Sequence, residues 1–394
     1  MLKNLSLFLF STLLSVYLTE VIIALTLDPL TRVNEKARSY RRQQPGFDRR
    51  TILEVLEDER KTGKEVYPFI PLIHLYREKE MDALFQEKTL PLGSIPFSNL
   101  ILCNENGYFA QVTHDRYGFN NPDSIHDSKI DIIAIGDSFL HGQCVTNGEN
   151  PIEILRRKFT NIFNLSVSGA NPIHELALLK EYGLYTGAKR ILWFYFEGND
   201  YKVDDRLSKT ILSHYLNNNF SQRLISKSEH IRRLQLNRTK ELIAENRELN
   251  FHAKPWEFNP LDILKLRNLE EAFKNIFGNK KKKELSPLFI ETFEELKRIS
   301  KEMGLDLTII YLPDYSRYAN DSSLFNHDKH LRRGEILAFF KKLNINVFDF
   351  HLILEKKSDP LSYFPYRRFG HYNSAGYELL ATAVMKNVLA EPNQ

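Results

Sequence analysis

Ile130-Asp-Ile-Ile-Ala-Ile-Gly-Asp-Ser-Phe139 is the stretch on which the fold turns. It is a short Ile-rich run of strand length that stops at a glycine, with Asp137 and Ser138 directly behind it. A strand this apolar has no solvent face, which places it inside a parallel sheet covered on both sides. The pattern then alternates. Pro151–Phe159 reads as a helix with Pro in its first turn, Asn161–Val167 as a second strand and Pro172–Tyr185 as a second helix. Lys189–Phe196 is a third strand, too apolar to have an exposed face. Later come a helix at 285–303, a strand at 305–312, a helix at 329–343, a strand at 346–350 and a closing helix from Ser374 to about Leu389. Repeated β-α units of this kind predict an α/β domain, a three-layer sandwich around a central parallel sheet.

Length and composition limit what surrounds that domain. The 394 residues suggest one large domain with appendages, or two domains. With 42% apolar and 26% charged residues, the chain is ordinary globular material. A net charge of +4 gives no concentrated basic face, so no nucleic-acid partner is read. Cys103 and Cys144 are too few for a disulfide framework or a Cys-rich zinc site, but they can form one bridge in an oxidising compartment. His141, His174 and His351 have no partners at metal-ligand spacing, so no metal and no cofactor are read.

The N terminus carries the strongest global signal. Leu5–Leu27 is apolar apart from Ser, Thr, Tyr17 and Glu20, and its 23 residues would reach roughly 34 Å as a helix, enough for a bilayer core. Residues 1–27 therefore read as a single-pass transmembrane anchor. Glu20 would cost about 2.5–3.5 kcal/mol as an ion at mid-membrane, but it lies toward the far third of the span. A cleaved signal peptide is the alternative, although no A-x-A site follows the apolar core; a buried soluble helix is the bland one. Arg32, Lys36, Arg38, Arg41 and Arg42 crowd the C-terminal flank, and the positive-inside rule alone would put the body in the cytoplasm.

Residues 28–129 form a juxtamembrane region without sustained periodicity. It holds a charged helical stretch at Thr51–Thr62, and Pro68, Pro71, Pro91 and Pro96 then break any long element. An insertion at 201–284 carries 18 Lys/Arg against 11 Asp/Glu and peaks at Lys280-Lys-Lys-Lys283. Such a run is usually a solvated loop; its functional reading is a basic lid near anionic head groups or an acidic polysaccharide.

Ligands of parallel sheets bind beyond the C-terminal strand ends. Those ends here offer Asp137-Ser138, the loop around Gly169, Glu197-Gly198-Asn199-Asp200, and, before the last helix, Gly370-His371. A Ser hydroxyl needs a base to become a nucleophile, and His is suited to that role. The Ser138 and Gly169 amides and the Asn199 side chain could donate to an oxyanion. Asp137 and Asp200 read as loop-holding residues, and Trp193, Tyr195 and Phe196 as core.

GDSF at 136–139, Gly169, GND at 198–200 and the late His371 resemble the four blocks of the SGNH/GDSL hydrolase superfamily, across about 130–390. The resemblance implies a flavodoxin-like fold and an esterase that works through an acyl-serine. Ser138 would be the nucleophile and His371 the general base, with Gly169 and Asn199 completing the oxyanion hole. It also implies an acyl-ester substrate, an O-acetyl ester on a surface polysaccharide or, as a second option, a lipid ester, with the acyl group passing to water or to a sugar hydroxyl. A bacterial membrane-anchored member would hold this domain outside the cytoplasm, opposite to the charge rule. A catalytically silent glycan-binding or assembly protein that uses the same pocket is the rival from another class.

Two departures stand out. Glu197 occupies the place of the third block's usual Gly. The Asp expected two or three residues before the His is absent, since Phe369 and Arg368 stand there. Asp359, a backbone carbonyl or no group at all remain as ways to orient His371.

Overall fold

The computed structural model describes residues 2–26, 30–71, 75, 84, 89–202, 210–217, 219–245, 263–266, 269–270, 284–319 and 327–390. The basic peak at Lys280–Lys283 lies outside the described residues.

Five parallel strands make the central sheet: β4 (Ile132–Gly136), β5 (Ile162–Ser166), β6 (Arg190–Phe196), β7 (Asp306–Leu312) and β8 (Asn346–Asp349), in the spatial order β5-β4-β6-β7-β8. Counted from the first core strand this is the 2-1-3-4-5 order of flavodoxin-like folds. The register puts Gly136 beside Ser166 on one side and Phe194 on the other, so three strand ends and their loops open at one place. The first three core strands are buried throughout, apart from Arg190 at the start of β6. Two apolar clusters cover the two faces. One joins Ile133, Ile135, Trp193 and Tyr195 to Phe289 and Phe293, and the other joins Ala134, Leu192 and Phe194 to Tyr377 and Leu380. The helices that supply them include α8 (Pro287–Glu302) and α11 (Ser374–Val384). The sandwich is thus α/β, as its alternating pattern requires.

Two predicted helices are shorter α-helices with a changed pitch. Residues 172–178 form α6 and continue as a π-turn at 179–183, and α11 passes into another at 385–389.

Residues 28–129 are more structured than their lack of period suggests. Helix α2 (Leu30–Arg42) is followed by α3 (Ile52–Lys61), which Thr51 and Glu54 open with a reciprocal capping box. Three strands of three residues each, β1 (Val66–Pro68), β2 (Asn99–Ile101) and β3 (Gln111–Thr113), form a second, separate sheet. Strands this short show no alternation to read. Ile70, Leu90, Leu92 and Phe119 from this region share the apolar cluster of the main sheet.

Helix α1 (Leu2–Thr26) is long and apolar enough to cross a membrane, with a mean hydropathy of 1.9 over Ser6–Ile23. Leu7, Phe8, Phe10 and Ile22 are exposed on it. Glu20 is not left alone: it is buried and accepts the Leu269 amide at 2.6 Å, which brings part of the insertion against α1. Another part, α7 (Ser228–Ala244), holds two earlier points of the chain, through Gln235 to the Gly93 carbonyl and Arg238 to the Leu75 carbonyl.

Candidate active site

Ser138 is the first residue of α4 (Ser138–His141), which starts directly after β4. The helix cap is Asp137, whose carboxylate accepts the Phe139 amide at 2.9 Å. Ser138 is therefore not the cap. Its Oγ lies 3.0 Å from Nε2 of His371, which approaches from the loop before α11. Phe139 stacks on Phe196 with ring centroids 3.8 Å apart and lies 4.9 Å from the His371 ring, forming an aromatic floor under the pair.

The group on the other imidazole nitrogen is Glu105. Its Oε2 lies 3.2 Å from Nδ1 of His371 and also accepts the His371 backbone amide at 2.8 Å. One carboxylate oxygen thus fixes both the ring and the backbone of the same residue. Gly370 makes the approach possible: a Cβ there would come within 2.6 Å of Glu105 Oε2 and 2.7 Å of Arg41 Nη2. Burial alone would push the Glu105 carboxyl up. The His371 imidazole and its hydrogen bonds, with Arg41 nearby, outweigh that and hold it well below the usual carboxylate range. Arg41, at the end of α2 and 4% exposed, donates to the Phe369 carbonyl.

Asp359 does not take this role. Its carboxylate is paired with Arg367 on the same half-exposed loop. The eleven residues between Asp359 and His371 let the chain fold its acid onto a nearer cation, and Glu105 fills the place at Nδ1. Glu105 lies before the first core strand, outside the pattern of strand ends. The usable signal was the cysteine pair: Cys103 is bonded to Cys144, placing a carboxylate two residues from one sulfur and a serine six residues from the other. The Cys144 sulfur, the Glu105 carboxylate and a His371 nitrogen all lie within 4.8 Å of one another.

Gly169 and Asn199 are exposed positions in the otherwise largely buried loops after β5 and β6. Gly169 has φ +83°, a conformation that a side chain would strain. Asn199 Nδ2 is 3.5 Å from Asp137 Oδ2, beside the start of α4. Asp200 accepts the Phe196 amide at 2.7 Å, and so holds its loop as expected. Glu197 accounts for its own departure from the motif. Buried, it accepts the Tyr311 hydroxyl and the Asp314 amide, each at 2.7 Å, and pairs with Arg317, bracing the loop after β7.

Buried carboxyls and imidazoles surround the strand ends. Burial pushes Glu175 and Asp200 well above the usual carboxylate range, and neighbouring carboxylates add to the effect; Asp137 moves the same way through burial. His141 is pushed down to about 4 by burial, and its Nε2 lies 3.2 Å from that of His114, which burial also lowers. His174 bonds the Leu92 carbonyl at 2.9 Å, and His351 meets Tyr318 and Glu355. A cleft of about 320 Å³ lined by Asn99, His114, Asn120, Asp123 and Asn147 contains none of the four strand-end residues.

No protein-family model and no curated protein matches the chain. Among solved structures, it is similar to a lipase/acylhydrolase from Enterococcus faecalis, at 12% identity and a TM-score of 0.34 over 67% of this chain and 99% of that one. It is also similar to a putative lipolytic protein of the G-D-S-L family from Desulfitobacterium hafniense DCB-2, at 12% and 0.32 over 65% and 98%. A third is the acetyl xylan esterase AlAXEase, at 12% and 0.33 over 66% and 100%. At this level of similarity, the chemistry of the site rests on its own geometry.

Proposed function

We propose that the chain is a membrane-anchored serine esterase or O-acyltransferase of the SGNH type. The observation that carries this reading is the chain of contacts Ser138 Oγ–His371 Nε2 at 3.0 Å and His371 Nδ1–Glu105 Oε2 at 3.2 Å, from three separate segments. A carboxylate on Nδ1 favours the tautomer with its proton there, which leaves the Nε2 lone pair facing the serine hydroxyl. The Ser138 Oγ proton passes to Nε2 as Oγ bonds the acyl carbon. The Ser138 and Gly169 amides and the Asn199 NH₂ hold the resulting oxyanion. Collapse breaks the ester C–O bond, and the Nε2 proton leaves with the alcohol. Water, or a sugar hydroxyl, then repeats the sequence on acyl-Ser138.

The open position of Gly169 and Asn199 supports an acyl group carried on a bulky molecule, such as an O-acetyl ester on a surface polysaccharide. A second reading, an ester on a lipid, is favoured by the tether. Arg41 touches the His371 loop only fifteen residues after the end of α1, a reach of about 30 Å for a short linker and a helix.

The test is a fluorophosphonate probe on detergent-solubilised full-length protein. Wild type should be labelled on Ser138, and Ser138→Ala should lose both label and ester hydrolysis, by up to about 10⁶ in kcat. Hydrolysis by Ser138→Ala at the wild-type rate would sink the mechanism. Unlabelled wild type, inactive on every ester, would favour the silent glycan-binding reading.

A further inference from the structure

Glu105 lies in the turn from Cys103 to Ala110 that joins β2 to β3, in the small sheet that is separate from the one carrying Ser138. The strands on either side are three residues long, the pairing continues to Leu102 and Ala110, and the turn beyond it meets Asp48, whose carbonyl accepts the Asn104 side chain and whose amide donates to the Gly107 carbonyl. Three ties fasten the turn to the segment after α4: the Cys103–Cys144 disulfide, the Asn106 side chain, which donates to the Cys144 carbonyl at 2.9 Å, and, farther from Glu105, the Tyr108 hydroxyl, which donates to the Glu149 carboxylate at 2.7 Å. Cys144 is fully buried and has φ 66°. A residue with a side chain seldom adopts that backbone conformation unless its surroundings fix it. The ladder end is docked separately, since the Thr146 hydroxyl and the Asn147 amide both donate to the Gln111 carbonyl.

We propose that the Cys103–Cys144 disulfide is the positioning element that holds Glu105 against His371, so that the esterase works only in the oxidised chain. The proposal rests on the reading of Ser138, His371 and Glu105 as one catalytic unit. A dithiol thiolate attacks the half-buried Cys103 sulfur and the S–S bond breaks. The second dithiol sulfur then closes a disulfide on the first. Two electrons and two protons pass to the protein, leaving two cysteine thiols and an oxidised dithiol. The two sulfurs move from about 2.05 Å apart to beyond about 3.5 Å. Cys103 has to yield, and Glu105 lies two residues along. The Gln111 contacts do not involve either sulfur, so the loss is local.

The experiment uses full-length protein in detergent, before and after dithiothreitol, with thiols counted by alkylation and mass. Reduction should lower kcat on a short-chain ester at least about tenfold with KM within twofold, and reoxidation should restore it. Glu105→Gln, already slow, should lose nothing more on reduction. The His371 amide, which donates to Glu105, should exchange with deuterium at least about tenfold faster in the reduced chain. That readout needs no substrate, so it decides the proposal even if the esterase reading fails. Cys103→Ser/Cys144→Ser should match the reduced wild type; if that variant does not fold, reversible reduction of wild type still decides. A fully reduced protein with kcat within twofold and unchanged His371 exchange overturns the proposal. So does a reduced Glu105→Gln enzyme that falls by the same factor as wild type.

Discussion

Between Ile130 and Asp200 each site residue follows its strand within three positions: Ser138 after Gly136, Gly169 after Ser166, Asn199 after Phe196. Residues 28–129 deliver their contribution differently. Glu105 and Arg41 belong to no strand of the main sheet, and they reach His371 through a disulfide, a carbonyl contact and a glycine gap. In the first region hydrophobic burial of the strands fixes the geometry, and the loops inherit it. In the second, a few polar and covalent ties do the fixing. The strand-end residues should therefore survive perturbation of the appendage, while the orienting carboxylate should not.

The largest test of that contrast is Glu105→Gln. The amide keeps the shape but cannot enforce the same imidazole tautomer, and the loss in kcat should approach about 10⁴-fold, as when a triad carboxylate is amidated. KM should stay within a few fold, and the melting temperature should move little. Steady-state kinetics on a short-chain ester checks it, and a variant within tenfold of wild type would remove Glu105 from the machinery. Asn199→Ala, in the other region, should leave labelling of Ser138 by the fluorophosphonate probe detectable while lowering kcat by about 10²–10³. An Asn199→Ala enzyme at full rate would leave the oxyanion to the backbone amides.

Sequence carried the first region because its physics is periodic. Strands apolar on both faces mark the sheet, and a parallel sheet puts its ligand groups at the C-terminal ends. Hence Ser138, Gly169 and Asn199 could be placed at strand ends from the pattern, while their candidate roles, and that of His371, came from the resemblance of four short blocks. The second region offered no period: its strands span three residues each, and its key contact joins positions 266 apart in the chain. Asp359 drew attention only by nearness in sequence, whereas Arg367 claims it in space. Glu197 likewise looked like a broken motif, although it is the buried partner of Arg317.

Stability should depend on the buried titratable groups around the strand ends as well. Glu175, under the strand ends, is fully buried, and the Trp193 indole offsets only part of the effect of that burial. Burial raises its native pKa, so the native state binds the proton more tightly than the unfolded chain does. Its contribution is intact below the unfolded value of about 4.3 and is lost as pH climbs toward the native one. Glu175→Gln removes that slope. Between pH 5 and 8 the variant should gain on wild type by up to about 1.4 kcal/mol per pH unit, read as a widening gap in denaturation midpoints. Parallel curves would mean that Glu175 is charged and solvated in the native protein. The buried imidazoles act at the other end of the scale. His114, His141 and His174 have lowered pKa values, so stability should fall as pH drops below about 6.5.

The smallest expected effect is Asp359→Asn, and it bears directly on the contrast between the regions. The Asp359 and Arg367 side chains are 38% and 58% exposed. Solvent therefore screens the pair, and its loss should cost little. If Glu105 alone orients His371, kcat should stay within about twofold of wild type, with the pH–rate profile unmoved. A drop comparable to that of Glu105→Gln would show that the His371 loop exchanges one acid for the other during turnover. The double variant distinguishes the cases. Independent roles predict that Glu105→Gln/Asp359→Asn is no slower than Glu105→Gln alone, whereas a shared role predicts that Asp359 partly rescues the single variant and that the double falls further.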